Sequence, residues 1–120
     1  MSETERLKEI AWRKQRRGLR WIILRDIVAI CSLRWMDTSE VQDVMLNLHG
    51  ITHTKTVSLL SELERPKFVV QERDERDNIY KWGSTPKGVK SWLPMGKMSA
   101  IPAGIVQAVE ISRRVKESEA

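Results

Sequence analysis

The sequence has few of the features that mark secreted or membrane proteins. Cys31 is the only cysteine among 120 residues, so no internal disulfide can form, which fits the reducing cytoplasm. The longest apolar runs, residues 21–24 and 27–33, are separated by Arg25 and Asp26, whereas a membrane-spanning helix needs about 20 apolar residues. The charged N-terminus differs from a signal peptide. We therefore expect a cytoplasmic protein with no membrane contact.

Residues that support catalysis or hold metals are also scarce. His49 and His53 lie on either side of Gly50, and neither a second cysteine nor an acidic cluster completes a ligand set with them. The sequence contains no Ser-His-Asp, Cys-His or paired-carboxylate arrangement with a structural rationale, and no glycine-rich phosphate loop. We therefore predict a binding protein rather than an enzyme, with no cofactor and no metal site, and no residue pattern identifies a small-molecule effector.

What the sequence does contain is an uneven excess of basic residues. The net charge of +5 divides into +5 for residues 1–25, −3 for residues 26–66 and +3 for residues 67–120. A basic balance suits an anionic partner such as nucleic acid. With 41% hydrophobic residues, the chain can bury one sizeable core.

The first third of the sequence has helical periodicity. Residues 2–17 and 19–33 are predicted to form two helices separated at Gly18, or one continuous helix. The expected inward-facing residues are Leu19, Ile23, Ile27, Ile30 and Cys31, with Leu24 and Val28 beside them. The residues expected to face outward are Arg20, Arg25 and Asp26.

A helix-turn-helix pattern follows. Residues 37–39 offer a start for a helix over 40–48, Gly50 ends that helix, and Thr52 is a natural N-cap for a helix over 53–65. The predicted inward-facing residues are Val41, Val44, Met45 and Leu48, then Val57, Leu60 and Leu63, with Leu46 as a further anchor and Ile51 in the turn. The second helix carries short polar residues that can approach phosphates and base edges, namely Thr52, His53, Thr54, Lys55, Thr56 and Ser58.

The pattern then changes from helix to strand. Residues 68–70 and 79–82 are strand-like and flank a polar stretch, so they predict a β-hairpin with a charged tip. Trp82 and Trp92 are expected to pack this hairpin and the following helix onto the core. The predicted fold is mainly α with a small β-hairpin wing, a winged helix-turn-helix with additional terminal helices. Its expected segments are a basic helical arm (1–17), the winged helix-turn-helix (18–93), a linker (94–101) and a C-terminal helix (102–120).

The sequence resembles winged helix-turn-helix regulators of the MarR and ArsR type. The threonine-rich second helix, the wing with Arg73, Asp74, Arg76 and Asp77, and the Thr-Pro-Lys-Gly-Val segment at 85–89 carry the resemblance, which covers residues 16–93. Residues 16–28 and the trailing Gly-Ile segment are also loosely similar to small winged-helix proteins of Mu-like transposable phages. The resemblance implies that Thr54, Lys55, Thr56 and Ser58 face the DNA major groove, and that Arg73 or Arg76 reaches the minor groove or a phosphate. Four acids at the wing tip, residues 72–77, would oppose that contact.

Two further surfaces have alternative interpretations. The basic residues Arg13, Lys14, Arg16, Arg17 and Arg20 either contact phosphates or form a solvated helix face. The C-terminal stripe of Ile105, Ala108, Val109, Ser112 and Val115 either forms a dimer seam or packs onto its own domain.

The favoured function is sequence-specific binding of double-stranded DNA by a homodimeric transcriptional regulator of prokaryotic or phage type, whose two recognition helices match a two-fold site. The alternative is a winged-helix protein–protein module that uses Trp21, Trp35 and the C-terminal helix. The acidic middle of the chain favours this alternative, whereas the polar helix and the basic arm favour DNA.

Overall fold

The computed structural model describes the backbone of residues 2–119 and the side chains of residues 2–4 and 19–118. Its elements, in chain order, are α1 (Glu3–Leu33), β1 (Met36–Asp37), α2 (Thr38–His49), α3 (His53–Glu64), β2 (Val69–Asp74), β3 (Ile79–Ser84), α4 (Pro86–Trp92) and α5 (Ala103–Glu119). Two short 3-10 turns, Pro94–Gly96 and Met98–Ala100, join α4 to α5. None of the helices in this described part of the chain is long and apolar enough to cross a membrane.

The first helix is continuous, so of the two arrangements predicted around Gly18 the single helix is the one observed. Its C-terminal half packs into the core through Leu24, Ile27, Val28, Ala29, Ile30 and Cys31. Two predictions on this helix were wrong. Leu19 is 59% exposed because it precedes the part of α1 that other elements cover, and Asp26 is 4% exposed although it was expected to face solvent.

Local capping chemistry defines the helix-turn-helix. Asp37 caps α2 by accepting from the Glu40 backbone N–H at 2.8 Å, and the Glu40 side chain completes a capping box. Gly50 ends α2 with φ 65°, a left-handed conformation that glycine adopts without steric cost. Thr52 caps α3 by accepting from the Lys55 backbone N–H at 3.2 Å. The predicted boundaries of both helices are therefore confirmed to within two residues.

The core lies between α1, the helix-turn-helix and the sheet. Its completely covered side chains include Ile27, Ile30, Met36, Val41, Val44, Met45, Leu60 and Val69. Leu46 and Val57 were predicted to face inward but are 47% and 40% exposed. On α3, Leu60 and Leu63 are buried as predicted, and Thr56 and Leu59 complete the buried face of the helix in place of Val57.

The three strands form an antiparallel sheet in the order β1-β3-β2. The hairpin of β2 and β3, here called the wing, is paired from Val69 opposite Ser84 to Asp74 opposite Ile79. β2 therefore extends beyond the predicted residues into the polar stretch, and β3 extends two residues past its predicted end. β1 is two residues long and pairs with β3. Such a short strand has no periodicity of its own and was not predicted.

The C-terminal elements close the core. Thr85 caps α4 by accepting from the Gly88 backbone N–H at 3.0 Å, with Pro86 in the first turn as predicted. The predicted linker is ordered as the two 3-10 turns, and Ile101 at its end is buried. α5 then packs against α1 and α2.

Candidate nucleic-acid interface

The N-terminal half of α3 is a polar, exposed surface. Thr52, His53, Thr54, Lys55 and Ser58 are all exposed, as the sequence predicted. The first backbone N–H groups of a helix have no intrahelical partner, and they lie at the positive end of the helix dipole. Short side chains allow an anionic backbone to approach these groups closely. The surface can therefore accept a phosphate and present hydroxyl and ammonium donors beside it.

Thr56 does not belong to this surface. Its side chain is completely buried, and its hydroxyl donates to the Thr52 carbonyl at 3.2 Å. The expectation that Thr56 faces a DNA groove is therefore corrected, because its oxygen is used inside the first turn of α3. The adjacent Val57 is 40% exposed and adds an apolar group to the outer side of the helix.

The two histidines have separate partners. His53 Nε2 lies 3.6 Å from Asp43 Oδ1, with both side chains more than half exposed. His49 Nε2 lies 2.6 Å from Asp26 Oδ2, where both side chains are largely covered. Across the described side chains, no cluster of three or more His, Cys, Asp or Glu residues could hold a metal ion.

The contact between Asp26 and His49 connects α1 to the end of α2, directly before the turn at Gly50. Asp26 Oδ1 also accepts from Arg25 Nη2 at 3.3 Å. A buried carboxylate requires such partners, since an unpaired one would be costly to desolvate. This pair orients α2, and thus the turn into α3, against the core. Sequence analysis missed it because periodicity placed Asp26 on the solvent-facing side of the helix.

Arg20 is the one member of the predicted basic cluster whose side chain is described. Its Nη2 donates to both carboxylate oxygens of Glu62 on α3. The Glu62 hydrogen bond raises the pKa of Arg20, and the same bond lowers the pKa of Glu62. This pairing reduces the positive charge that Arg20 offers to a phosphate. The side chains of Arg13, Lys14, Arg16 and Arg17 lie outside the described residues, so their phosphate contacts stay a prediction.

The acids of the wing are paired by a lysine that sequence analysis did not single out. Lys81 Nζ donates to Asp74 at 2.8 Å and lies 2.9 Å from Asp77 Oδ2. The Lys81 hydrogen bond, supported by the Arg76 backbone N–H, lowers the pKa of Asp74 to about 2. The pKa of Asp77 is lowered by the same lysine. The sequence offered one signal for this pairing, because Asp77 and Lys81 are four residues apart at the hairpin turn.

This pairing leaves the wing arginines accessible. The side chain of Arg76 is 92% exposed and touches Asp74 only at 3.5 Å. Arg73 is exposed, and no ion pair joins it to any side chain that the structure describes. Two guanidinium groups therefore project from a wing whose acids Asp74 and Asp77 are already partnered.

The predicted dimer seam on α5 is largely covered by its own chain. Ile105 and Val109 are 5% and 3% exposed, and Ala108 and Ser112 are half-buried. Of the five predicted residues, Val115 alone is exposed, at 51%, with Ile111 beside it at 57%. The inward stripe therefore packs onto α1 and α2, the second of the two arrangements that the sequence left open.

An ion-pair network fixes the end of α5 to the start of α2. Lys116 Nζ donates to Asp37 at 2.6 Å and to Glu40 at 2.9 Å, and Arg34 lies 3.1 Å from Glu40. Burial opposes the charge on Lys116, but its bonds to Asp37 and Glu40 outweigh that effect and raise its pKa. The network therefore holds α5 to the N-cap of the first helix-turn-helix helix.

Tryptophans attach the wing and α4 to the core, as predicted. Trp82 is 5% exposed and its Nε1 donates to Thr38 Oγ1 at 3.0 Å. The centroid of the Trp92 ring lies 5.7 Å from the ring centroids of both Trp21 and Phe68. The 45% exposure of Trp21 leaves part of its ring open to solvent.

No protein-family model and no curated protein sequence matches this chain. Among solved structures, the chain is similar to ZitR of Lactococcus lactis, a double mutant in its apo form, with 12% sequence identity and a TM-score of 0.52. The match covers 98% of this chain and 83% of that one. Together with the α2–turn–α3 unit and the wing, this similarity shows that the protein has a winged-helix fold.

Proposed function

We propose that the protein binds double-stranded DNA sequence-specifically and regulates transcription. The observation that carries this proposal is the exposed face at the start of α3, where Thr54, Lys55 and Ser58 surround a helix N-terminus with a threonine cap. In a helix-turn-helix, the second helix enters the major groove with its N-terminal residues at the base edges. Lys55 would contact a base or phosphate, and the hydroxyls would complete the hydrogen bonds.

The wing and the N-terminal arm supply the remaining contacts in this proposal. Arg73 and Arg76 reach a neighbouring phosphate or the minor groove, because Lys81 neutralises two of the acids that would repel DNA. The basic residues of the arm add salt-dependent affinity that does not depend on sequence. A regulator of MarR or ArsR type, of prokaryotic or phage origin and acting in the cytoplasm without a cofactor, fits this set of contacts.

We also propose that the protein acts as a homodimer. Two recognition helices related by a two-fold axis would match half-sites about one DNA turn apart. Since Ile105 and Val109 are covered, the apolar residues of α5 that are more than half exposed are Ile111 and Val115, which lie one helical turn apart.

The test is fluorescence anisotropy of labelled random-sequence duplex DNA with the purified protein at two salt concentrations. Binding should weaken steeply as salt rises, because each phosphate contact releases counterions. Selection of bound duplexes from a random pool should then yield a two-fold-symmetric site. Absence of binding at low salt would overturn the proposal.

A second candidate function is a protein–protein module. The exposed apolar side chains Trp21, Trp35, Ile111 and Val115 favour it, because exposed aromatic groups are enriched at protein interfaces. The pairing of Arg20 with Glu62 favours it too, since it removes one predicted phosphate contact. Under this function, duplex DNA would not bind at low salt, and a tagged copy would retain a defined partner through these residues.

A further inference from the structure

A groove of about 500 Å³ lies between the wing and the C-terminal end of α1. Its walls carry four cations, Arg34, Arg73, Arg76 and Lys81, and one aromatic ring, Trp35. Two acids, Glu72 and Asp74, also line it. Ligand pockets commonly have volumes of about 300–1,000 Å³, so the groove is large enough for one small molecule or one nucleotide.

Trp35 forms a fixed aromatic surface in this groove. A Cβ atom on Gly83 would lie 2.4 Å from the Trp35 ring, so the ring rests directly on the backbone of β3. The side chain nevertheless remains 44% exposed, which leaves ring surface free to stack. Any residue larger than glycine at 83 would displace the ring. The sequence thus combines a tryptophan and a glycine, far apart in the chain, to hold an exposed aromatic ring in place.

The cations of the groove differ in how far they are already engaged. Lys81 is held by Asp74 and Asp77, and Arg34 is held by Glu40. The cation with the most free donors is therefore Arg76, whose side chain is 92% exposed and contacts Asp74 only through Nε at 3.5 Å. Arg73 also borders the groove, but its pairing with Tyr80 directs its Cβ to the face of the wing opposite to that of Glu72, Asp74 and Lys81. Guanidinium groups bind phosphate with two parallel hydrogen bonds, and they do so beside an aromatic surface in many nucleic-acid sites.

We propose that this groove binds an unpaired nucleotide, whose base stacks on Trp35 while its phosphate pairs with Arg76. The ligand chemistry is a planar base joined to a phosphate, and it can come from a free mononucleotide or from an unpaired nucleotide in a DNA strand. In the second case the inference rests on the proposed DNA-binding function and adds a contact outside the duplex. In the first case it is independent of that function.

The experiment compares Trp35→Leu with the wild-type protein by anisotropy, using a labelled oligothymidylate and a labelled blunt duplex. Because Trp35→Leu loses the stacking of one base, we expect it to bind the oligothymidylate about tenfold more weakly than wild type, with duplex binding unchanged. The matched control is Trp21→Leu, since Trp21 is exposed to the same degree and also lies near an arginine, 5.6 Å from Arg25, but outside the groove. This control should bind the oligothymidylate like wild type.

A second measurement does not depend on the leucine variant being folded. Thymidine monophosphate should quench the tryptophan fluorescence of the wild-type protein, and Trp35→Phe, which keeps an aromatic ring on Gly83, should lose that quenching. If the mononucleotide binds as tightly as the oligothymidylate, and if this binding depends on Trp35, the ligand is a free nucleotide. Much tighter binding of the oligothymidylate identifies a strand.

The two proposals fail separately in this design. The nucleotide-binding proposal would be overturned if Trp35→Leu bound the oligothymidylate with wild-type affinity, or if the quenching were unchanged in Trp35→Phe. Duplex binding in the same experiments would leave the proposed function standing. Trp35-dependent nucleotide binding without duplex binding would leave the groove standing and overturn the proposed function.

Discussion

Lys55 and Thr56 are neighbours on α3 with opposite environments. Lys55 is exposed at the first turn of the helix, whereas Thr56 is buried with its hydroxyl bonded to the Thr52 carbonyl. Residues that alternate in this way cannot both contact DNA. At the scale of single residues, the candidate interface is therefore narrower than the polar segment of sequence that encodes it.

Lys55→Ala should weaken duplex binding because it removes a cation from the first turn of α3. We expect a loss of about threefold to tenfold, and a salt dependence whose slope falls by about one unit if the contact is to a phosphate. The measurement is anisotropy over a range of salt concentrations. Lys97→Ala, at an exposed lysine in the turn after α4, is the control. Equal affinities of the two variants would contradict the assigned role of Lys55.

The buried pair of Asp26 and His49 should matter for stability far more than the exposed pair of Asp43 and His53. Asp26→Ala leaves a covered imidazole without its partner and should lower the free energy of unfolding by about 1–3 kcal/mol. Asp43→Ala removes a contact between two half-exposed groups and should cost less than about 0.5 kcal/mol. Urea denaturation measures both. Similar losses in the two variants would show that the buried pair does not orient α2.

At the scale of elements, the wing is a short hairpin whose tip is organised by Lys81. Asp74 at the end of β2 and Asp77 in the turn both contact this lysine of β3, so the negative charge of the tip is partly compensated in the folded protein. The strand pairing from Val69 to Asp74 brings these groups together. The pairing of the wing strands therefore determines how much net charge the wing presents to a binding partner.

The titration of Asp74 reports this organisation. Its pKa of about 2 in the folded state lies below the ordinary value of 3.8, so its contribution to stability is present above pH 3.8 and is lost as the pH falls toward 2. Lys81→Met should return the pKa of Asp74 toward 3.8. Carboxyl chemical shifts in NMR measure this. An unchanged low pKa in the variant would mean that Lys81 is not its main cause.

Two glycines on different helices should respond oppositely to alanine. A Cβ on Gly88 in α4 would lie 2.1 Å from the Phe68 carbonyl oxygen, so Gly88→Ala forces α4 away from the wing and should cost at least about 2 kcal/mol. Gly104 in α5 has open space around it, and Gly104→Ala should stabilise by up to about 1 kcal/mol. Thermal unfolding compares them. A loss of stability in both variants would contradict the close approach of α4 as the cause.

At the scale of the whole molecule, α5 is a part of the domain rather than a free appendage. Its inner face covers α1 and α2, and Lys116 ties it to the cap of α2. Any movement of α5 would therefore alter the position of the N-terminal end of α2, where the helix-turn-helix begins. The surface that we propose for a second copy is the outer flank with Ile111 and Val115.

The double variant Ile111→Arg, Val115→Arg should convert the proposed dimer to a monomer while the melting temperature stays close to that of wild type. Charged groups on an exposed flank oppose association but do not enter the core. Light scattering gives the mass. Val106→Arg, at another exposed valine of α5, should remain dimeric. A monomeric wild-type protein, or a dimeric double variant, would contradict the use of this flank.

The sequence by itself determined the elements whose signals are local. The Asp37 cap, the left-handed Gly50, the Thr52 cap and the Thr85-Pro86 start of α4 each depend on residues within one helical turn, so their chemistry could be read directly. These signals were enough to predict a winged helix-turn-helix and most of its exposed polar helix.

Only the tertiary structure decided which faces of these elements are covered. Asp26 is buried because His49, from another helix, meets it, and Ile105 and Val109 are covered because α5 folds back onto α1 and α2. Trp35 rests on Gly83 because β1 pairs with β3, and Lys81 reaches the wing acids through strand pairing. Each of these contacts joins residues whose proximity depends on the folded backbone, and helical or strand periodicity carries no information about such partners.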